Sequence, residues 1–242
     1  MDALHLPFSF FDAVDGSVLS AEQAAASYDP AKNAANFKRP IARPEIGCYL
    51  SHYALWESIG QAGWPGAVIL EDDFEASPSL PAVLSELCRL QLSNCLIKLD
   101  TYKKVKGALI ANLCDGIQLI FPYRAPGLTL GYVIDRQAAA NLAAKTQPFG
   151  RPVDIDLKHW WEFNISVLAV QPALLHPRQT QDENGIELTR RRTKPGGRFI
   201  RFARNLEYQF AFWFRNVAAQ RERRQMVRQL KSEVLMKLQP GH

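Results

Sequence analysis

Short apolar runs separated by amphipathic stretches set the rhythm of this chain. Ala67-Val68-Ile69-Leu70 is bounded by Gly66 before and by Glu71-Asp72-Asp73 after, the pattern of a buried strand whose end opens into a crevice. Upstream, Ile46, Tyr49, Leu50, Tyr53, Trp56 and Ile59 recur at helical spacing. Pro44 and Glu45 suit the first turn of that helix, and Gly60 and Gly63 its end. Beyond the acids the pattern predicts a helix over 79–92, a strand over 95–99, and strands over 117–121 and 128–134 with Pro126-Gly127 turning between them. Asp135 stands where an N-cap belongs, ahead of a helix reaching Ala144. Val167 to Leu175 reads as a late strand interrupted by Pro172, residues 20–44 as a short helix and a loop, and Leu6 to Phe11 as a strand. No internal repeat is visible. Strands alternating with helices imply an α/β fold, its sheet mostly parallel and covered by helices on both faces.

Charge divides the chain in two. Residues 189–242 hold 14 Lys/Arg and 3 acids, a net +11, which leaves 15 Lys/Arg and 21 acids, a net −6, for residues 1–188. The expected organisation is therefore a domain over 1–188 and a basic helical tail over 189–242, with Gly196-Gly197 opening the latter's helical stretch. There Phe199, Ile200, Phe202, Ala203, Leu206, Phe210, Phe214 and Val217 recur at helical spacing among Arg201, Arg204 and Arg215. A basic amphipathic helix of this kind suits an anionic membrane surface. The competing readings are packing on its own domain or on a second subunit, giving a homo-oligomer. A nucleic-acid partner is not expected, because no recognised motif accompanies the charge. No apolar run reaches the ~20 residues that span a bilayer, and no signal peptide is evident, so a cytoplasmic location is expected. Cys48, Cys88, Cys95 and Cys114 show neither metal-site nor disulfide spacing and read as reduced thiols, with Cys48 a small helix-packing residue.

Three adjacent carboxylates repel one another, so a fold that clusters them usually supplies a cation or strong donors. Mg²⁺ or Mn²⁺ takes one or two carboxylates and completes its shell with substrate phosphates. The end of the 67–70 strand is thus a candidate metal–diphosphate site, weighed against a solvated acidic turn. Asp154 and Asp156 flank Ile155 and, if extended, project from one face; a helix N-terminus is the alternative. Lys98 near the end of the next strand either meets a phosphate or is a solvated strand end. Ser51-His52 is no nucleophile–base pair, since adjacent helix positions diverge. Trp160 and Trp161 are candidate aromatic platforms for a ligand or core residues.

Glu45-Ile46-Gly47-Cys48 followed by Ser51-His52 and Trp56, ahead of a strand ending in Glu71-Asp72-Asp73, resembles glycosyltransferase family 25, the lipooligosaccharide-type galactosyl- and glucosyltransferases. Ala13-Val14-Asp15-Gly16, Gly131-Tyr132 and Val153-Asp154 match its flanking segments in order, so the resemblance covers roughly residues 8 to 180. Family members begin with a strand of the type Val-Ile-Asn-Leu, which has no counterpart here; Leu6 to Phe11 corresponds to their second strand.

The resemblance implies a GT-A-like, Rossmann-like domain that moves a hexose, galactose first, from a UDP-sugar to a lipid-linked oligosaccharide. It assigns Asp73, with Glu71 and His176, to a divalent metal (Mn²⁺ or Mg²⁺). Asp15, His52, Glu71, Asp72 and Lys98 fall to the nucleotide sugar, and Asp154, with Asp156, to deprotonation of the acceptor. The location implied is the inner face of the cytoplasmic membrane. A catalytically impaired or non-catalytic sugar- or nucleotide-binding subunit is the alternative, and a basic membrane- or nucleic-acid-binding module the third.

Overall fold

The computed structural model describes residues 6–101, 103–178 and 198–238, with side chains in the last stretch from Asn205 to Lys237. In chain order the elements are α1 (Ala21–Ser27), α2 (Pro30–Asn36), α3 (Arg43–Gln61), β1 (Gly66–Leu70), β2 (Phe74–Ala76), α4 (Leu80–Leu90), β3 (Cys95–Lys98), β4 (Gly107–Asn112), β5 (Gln118–Pro122), β6 (Gly131–Asp135), α5 (Arg136–Thr146), α6 (Val153–Asp156), α7 (Trp160–Phe163), β7 (Ser166–Gln171), β8 (Leu175–Pro177), α8 (Arg198–Ala218) and α9 (Gln220–Leu238). Six strands form one sheet in the order β1-β6-β3-β7-β5-β4, and β2 pairs with β8 in a small ribbon. Every residue of β3 is buried, although alternate side chains point to opposite faces, so helices and loops cover both sides.

The α/β class stands, and the architecture is consistent with a GT-A-like fold. The sheet itself is mixed rather than mostly parallel: β3–β7 is its one parallel pairing, and the other four are antiparallel. The reason lies in the middle of the chain, where β4, β5 and β6 follow one another with no α-helix between them. A turn through Cys114–Gly116, with Asp115 at φ 54° and Gly116 at φ 71°, folds β5 back on β4. Leu6 to Phe11 forms no strand; it runs as coil with Phe8, Phe10 and Phe11 exposed. β1 is consequently an edge strand, and Val68 on it is exposed.

Local chemistry holds the helices where the periodicity placed them. Glu45 reaches back to the Ala42 N–H at 3.0 Å and is gripped by both terminal nitrogens of Arg39 at 2.6 and 2.7 Å, fixing the start of α3. Asp135 accepts from the Gln137 and Ala138 N–H groups and caps α5. α3 packs on α5, and α9 packs on β4 and α4 with Leu230 and Val234 buried. Part of the basic tail therefore covers its own domain. The 188/189 boundary falls outside the described residues.

The segment before α1 crosses α3 with no room to spare. The Val14 N–H donates to Ser51 Oγ at 2.8 Å, and a Cβ on Gly47 would lie 2.5 Å from the Val14 carbonyl oxygen and 2.8 Å from the Gly16 Cα. Alanine is worth about 1 kcal/mol more than glycine in a helix, whereas overpacking costs about 1–3 kcal/mol. Here the obstacle is backbone, so the clash prevails. Gly47→Ala is expected to lower stability by about 1–2 kcal/mol, read as a lower urea midpoint at unchanged slope; an equal or higher midpoint would contradict the close crossing.

A buried polar network lies under α6. Asp156 accepts from Arg151 Nε and from the Tyr49 hydroxyl, each at 2.5 Å, and Arg151 also pairs with Glu162. Next to it His159 donates from Nδ1 to the Ile155 carbonyl at 2.9 Å and packs against Trp161 and Phe212. Burial, then the Arg151 charge, pushes its imidazole down from 6.5 to about 4. Between those values the unfolded chain takes up a proton that the folded chain refuses, so stability falls as pH drops through this window, by up to about 3 kcal/mol. The Asp156 carboxyl, raised by burial from 3.8, works in the opposite sense. Urea midpoints across the window should therefore decline toward acid in the wild type, and His159→Asn should flatten that decline.

Candidate active site

β6 lies antiparallel between β1 and β3, so β1, β3 and β7 all run the same way and their carboxyl ends share one end of the sheet. The register sets Tyr132 opposite both Ile69 and Lys98. α3 covers this row. It presents Cys48, His52 and Trp56, one turn apart on one helix face. Trp56 Nε1 donates to the Tyr132 hydroxyl at 2.9 Å, and His52 Nδ1 lies 2.8 Å from the same oxygen, its ring stacked on the phenol at 5.7 Å. His52 Nε2 stands 3.4 Å from Glu71 Oε1.

Glu71 continues β1 through its N–H, which donates to the Leu130 carbonyl at 2.9 Å. Burial pushes its carboxyl up, but hydrogen bonding and charge from His52, the Thr129 side chain and Lys98 together hold it below the ordinary value. Cys48, His52 and Glu71 bring their ligand atoms within 4.8 Å of one another, the one such group of three or more His, Cys, Asp or Glu among the described residues.

Asp72 is exposed beside this cluster. Asp73 is half-buried; burial first, then the Glu71 and Asp72 charges, raises its carboxyl, and its Oδ1 is buried without a hydrogen-bond partner among the described residues. A carboxylate oxygen withdrawn from water and facing two further acids is the environment a hard cation relieves, so the residues fit a divalent metal. His176 is exposed on β8, opposite Glu75, and lies outside the Cys48–His52–Glu71 group.

Lys98 is neither free for a phosphate nor a solvated strand end. It is buried, donates to the Leu128 carbonyl, and lies 3.5 Å from Asp100 Oδ1 and 5.7 Å from the centre of the Tyr132 ring. The 127–130 loop links two parts of the site. Thr129 meets Glu71, the Leu128 carbonyl accepts a hydrogen bond from Lys98 Nζ, and a Cβ on Gly127 would collide with the end of the Lys158 side chain. Burial lowers the Lys158 ammonium, against the Asp154 carboxylate that raises it.

Asp154 and Asp156 do not act as an extended pair. Val153–Asp156 is a helical turn, so the two carboxylates diverge. Asp156 has both oxygens committed to Arg151 and Tyr49, which leaves none for an acceptor hydroxyl; Asp154 stays partly exposed near Lys158. Asp15 is exposed, its carboxylate accepting the Ser17 N–H at 2.8 Å in a turn beside α3. Trp160 is core, whereas Trp161 is partly exposed.

The sequence reading missed Cys48, Tyr132, Asp100 and Lys158. Cys48 had a signal, the four-residue step to His52 on a helix. The other three depend on pairing across the sheet and on a loop crossing, which local sequence does not carry.

A mixed sheet whose edge strand ends in three acids is thus roofed by a helix carrying histidine and cysteine. A family model described as glycosyltransferase family 25 (LPS biosynthesis protein) matches residues 1–157, and the chain belongs to that family. It is 25% identical over 191 residues to procollagen galactosyltransferase 2 of Homo sapiens, covering 69% of this chain and 30% of that protein. It is 26% identical over 212 residues to a glycosyltransferase 25 family member of Aedes aegypti, covering 76% and 33%. The chain thus spans about a third of the length of these relatives.

Proposed function

We propose that this chain transfers a hexose, galactose first, from a UDP-sugar to a lipopolysaccharide-type oligosaccharide acceptor, using a divalent metal. The observation that carries the reading is the carboxylate cluster Glu71-Asp72-Asp73 at the carboxyl end of β1, with the unpartnered buried oxygen of Asp73. Crevices at such strand ends are where α/β sheets bind nucleotides. Asp73 would hold Mn²⁺ or Mg²⁺, with Asp72 beside it, and the metal when bound offsets charge on the leaving diphosphate. Asp154 would accept the proton of the acceptor hydroxyl, a role its partial exposure supports. Lys158 beside it favours the ionised carboxylate that a base requires. Galactose is favoured because relatives carry galactosyltransferase in their names, and the acceptor class because the family description names LPS biosynthesis.

Thermal melting with UDP tests this directly. A ligand selective for the fold adds about 2.7 kcal/mol at 100 times its dissociation constant. The shift should require Mn²⁺ or Mg²⁺ and vanish in Asp73→Ala, while Asp154→Asn keeps the shift and loses transfer. A metal-independent UDP shift that survives Asp73→Ala would favour a nucleotide-binding subunit without this chemistry.

The tail supports work at a lipid surface. On α8, Tyr208 and Phe212 turn inward toward Phe37, His159 and Trp161. Leu206, Phe210, Trp213, Phe214 and Val217 form an exposed stripe on other faces of the same helix. Arg221, Arg224, Arg228 and Lys231 are exposed on α9. Apolar rings flanked by cations match an anionic bilayer, each cation adding about 1 kcal/mol near the surface. Among the described residues no helix is long and apolar enough to cross a membrane. The chain should float with vesicles containing phosphatidylglycerol and not with neutral ones, and a Phe210→Ser, Trp213→Ser, Phe214→Ser variant should stay in solution. Equal flotation of that variant would contradict the assignment.

A further inference from the structure

The geometry points to a thiophilic metal site formed by Cys48, His52 and Glu71, chemically different from the hard-cation site at Asp73. Cys48 and His52 sit one turn apart on α3, and Glu71 faces them from the end of β1, so two separate elements of the fold converge on one point. The three ligand atoms lie within 4.8 Å of one another, and His52 Nε2 is already 3.4 Å from Glu71 Oε1. A tetrahedral Zn²⁺ with bonds of about 2.0–2.3 Å spaces its ligands about 3.3–3.8 Å apart. The His–carboxylate edge has that length, and the thiol closes the remaining gap, at most about 1 Å, by side-chain rotation.

The surroundings supply what such a site requires. A ligating histidine donates its other ring N–H to a fixed partner, which sets the tautomer. His52 has that partner in the Tyr132 hydroxyl at 2.8 Å, itself held by Trp56 Nε1 at 2.9 Å. In the tautomer that donates Nδ1–H to Tyr132, the Nε2 lone pair is left for a metal, which then takes the place of the Nε2–H that faces Glu71 in the metal-free site. The nearby cation, Lys98, is paired with Asp100 and the Leu128 carbonyl, which lessens its repulsion of a metal. None of the four cysteines is in a disulfide. Sulfur and imidazole select Zn²⁺ or Co²⁺ over the Mg²⁺ and Mn²⁺ preferred by an all-oxygen set. Three protein ligands leave a fourth position for water or for an oxygen of whatever occupies the crevice.

The test uses the whole chain, stripped of metal and titrated with Co²⁺ in the presence of excess Mg²⁺. One equivalent should bring up a near-ultraviolet thiolate-to-cobalt band together with visible bands of tetrahedral intensity, and Zn²⁺ should displace both. Cys48→Ser should abolish the near-ultraviolet band while Cys88, Cys95 and Cys114 remain. Tyr132→Phe, which keeps the ring and removes the hydroxyl, should weaken cobalt binding about 10–100-fold, with circular dichroism confirming that both variants are folded. Absence of the band, its persistence in Cys48→Ser, or displacement by Mg²⁺ as readily as by Zn²⁺ would overturn the inference. The readout needs no nucleotide, so a UDP shift that survives a failed cobalt titration leaves the transferase reading standing.

Discussion

The hydroxyl of Tyr132 joins the sheet to α3, and the site depends on that junction. A phenol buried on a central strand must find hydrogen-bond partners or lose roughly 1–3 kcal/mol. The two it has, Trp56 and His52, are a turn apart on the same helix. The bond therefore fixes the rotation and the height of α3 over β6 together. Once these are set, His52 must face Glu71 and Cys48 must stand one turn from it. The glycine crossing at Gly16 and Gly47 fixes the same helix from its other side, so α3 is held between a strand and a loop. A substitution that frees the helix from either would disturb the site without touching a carboxylate.

How much of this was legible depended on how local each feature is. The strand at 67–70, the long helix before it, the Asp135 cap and the acid triplet rest on periodicity and capping within a few residues, and the structure keeps them. The sheet's pairing was not legible in the same way, because direction is decided by what lies between strands. The chain from Gly107 to Asp135 carries three strands and only a short turn of helix. Asp154 and Asp156 show the same limit at smaller scale: two acids one residue apart share a face only in extended backbone, and here that backbone coils. Lys98 looked like a strand-end cation because it stands near the end of the apolar run Cys95 to Leu99, with Asp100 just beyond. Asp100 and the Leu128 carbonyl, which account for its burial, come from the same strand's end and from a distant loop.

The basic tail has a double character. Its inward face contributes rings to the surroundings of His159, and Arg215 reaches Glu162, while its outward face is apolar and uncovered. A helix built this way is clamped on one side and available on the other. Lys237 on α9 extends the clamp to the end of α4 through the Gln91 carbonyl.

β1 is bonded along a single seam. Within the described residues its one partner is β6, yet it is the strand whose end carries all three carboxylates. An edge strand can part from its neighbour at less cost than the core can unfold. A ligand held at the end of β1 would favour the paired state of that seam. A cation or diphosphate at the strand's end would in that case also be its fastener.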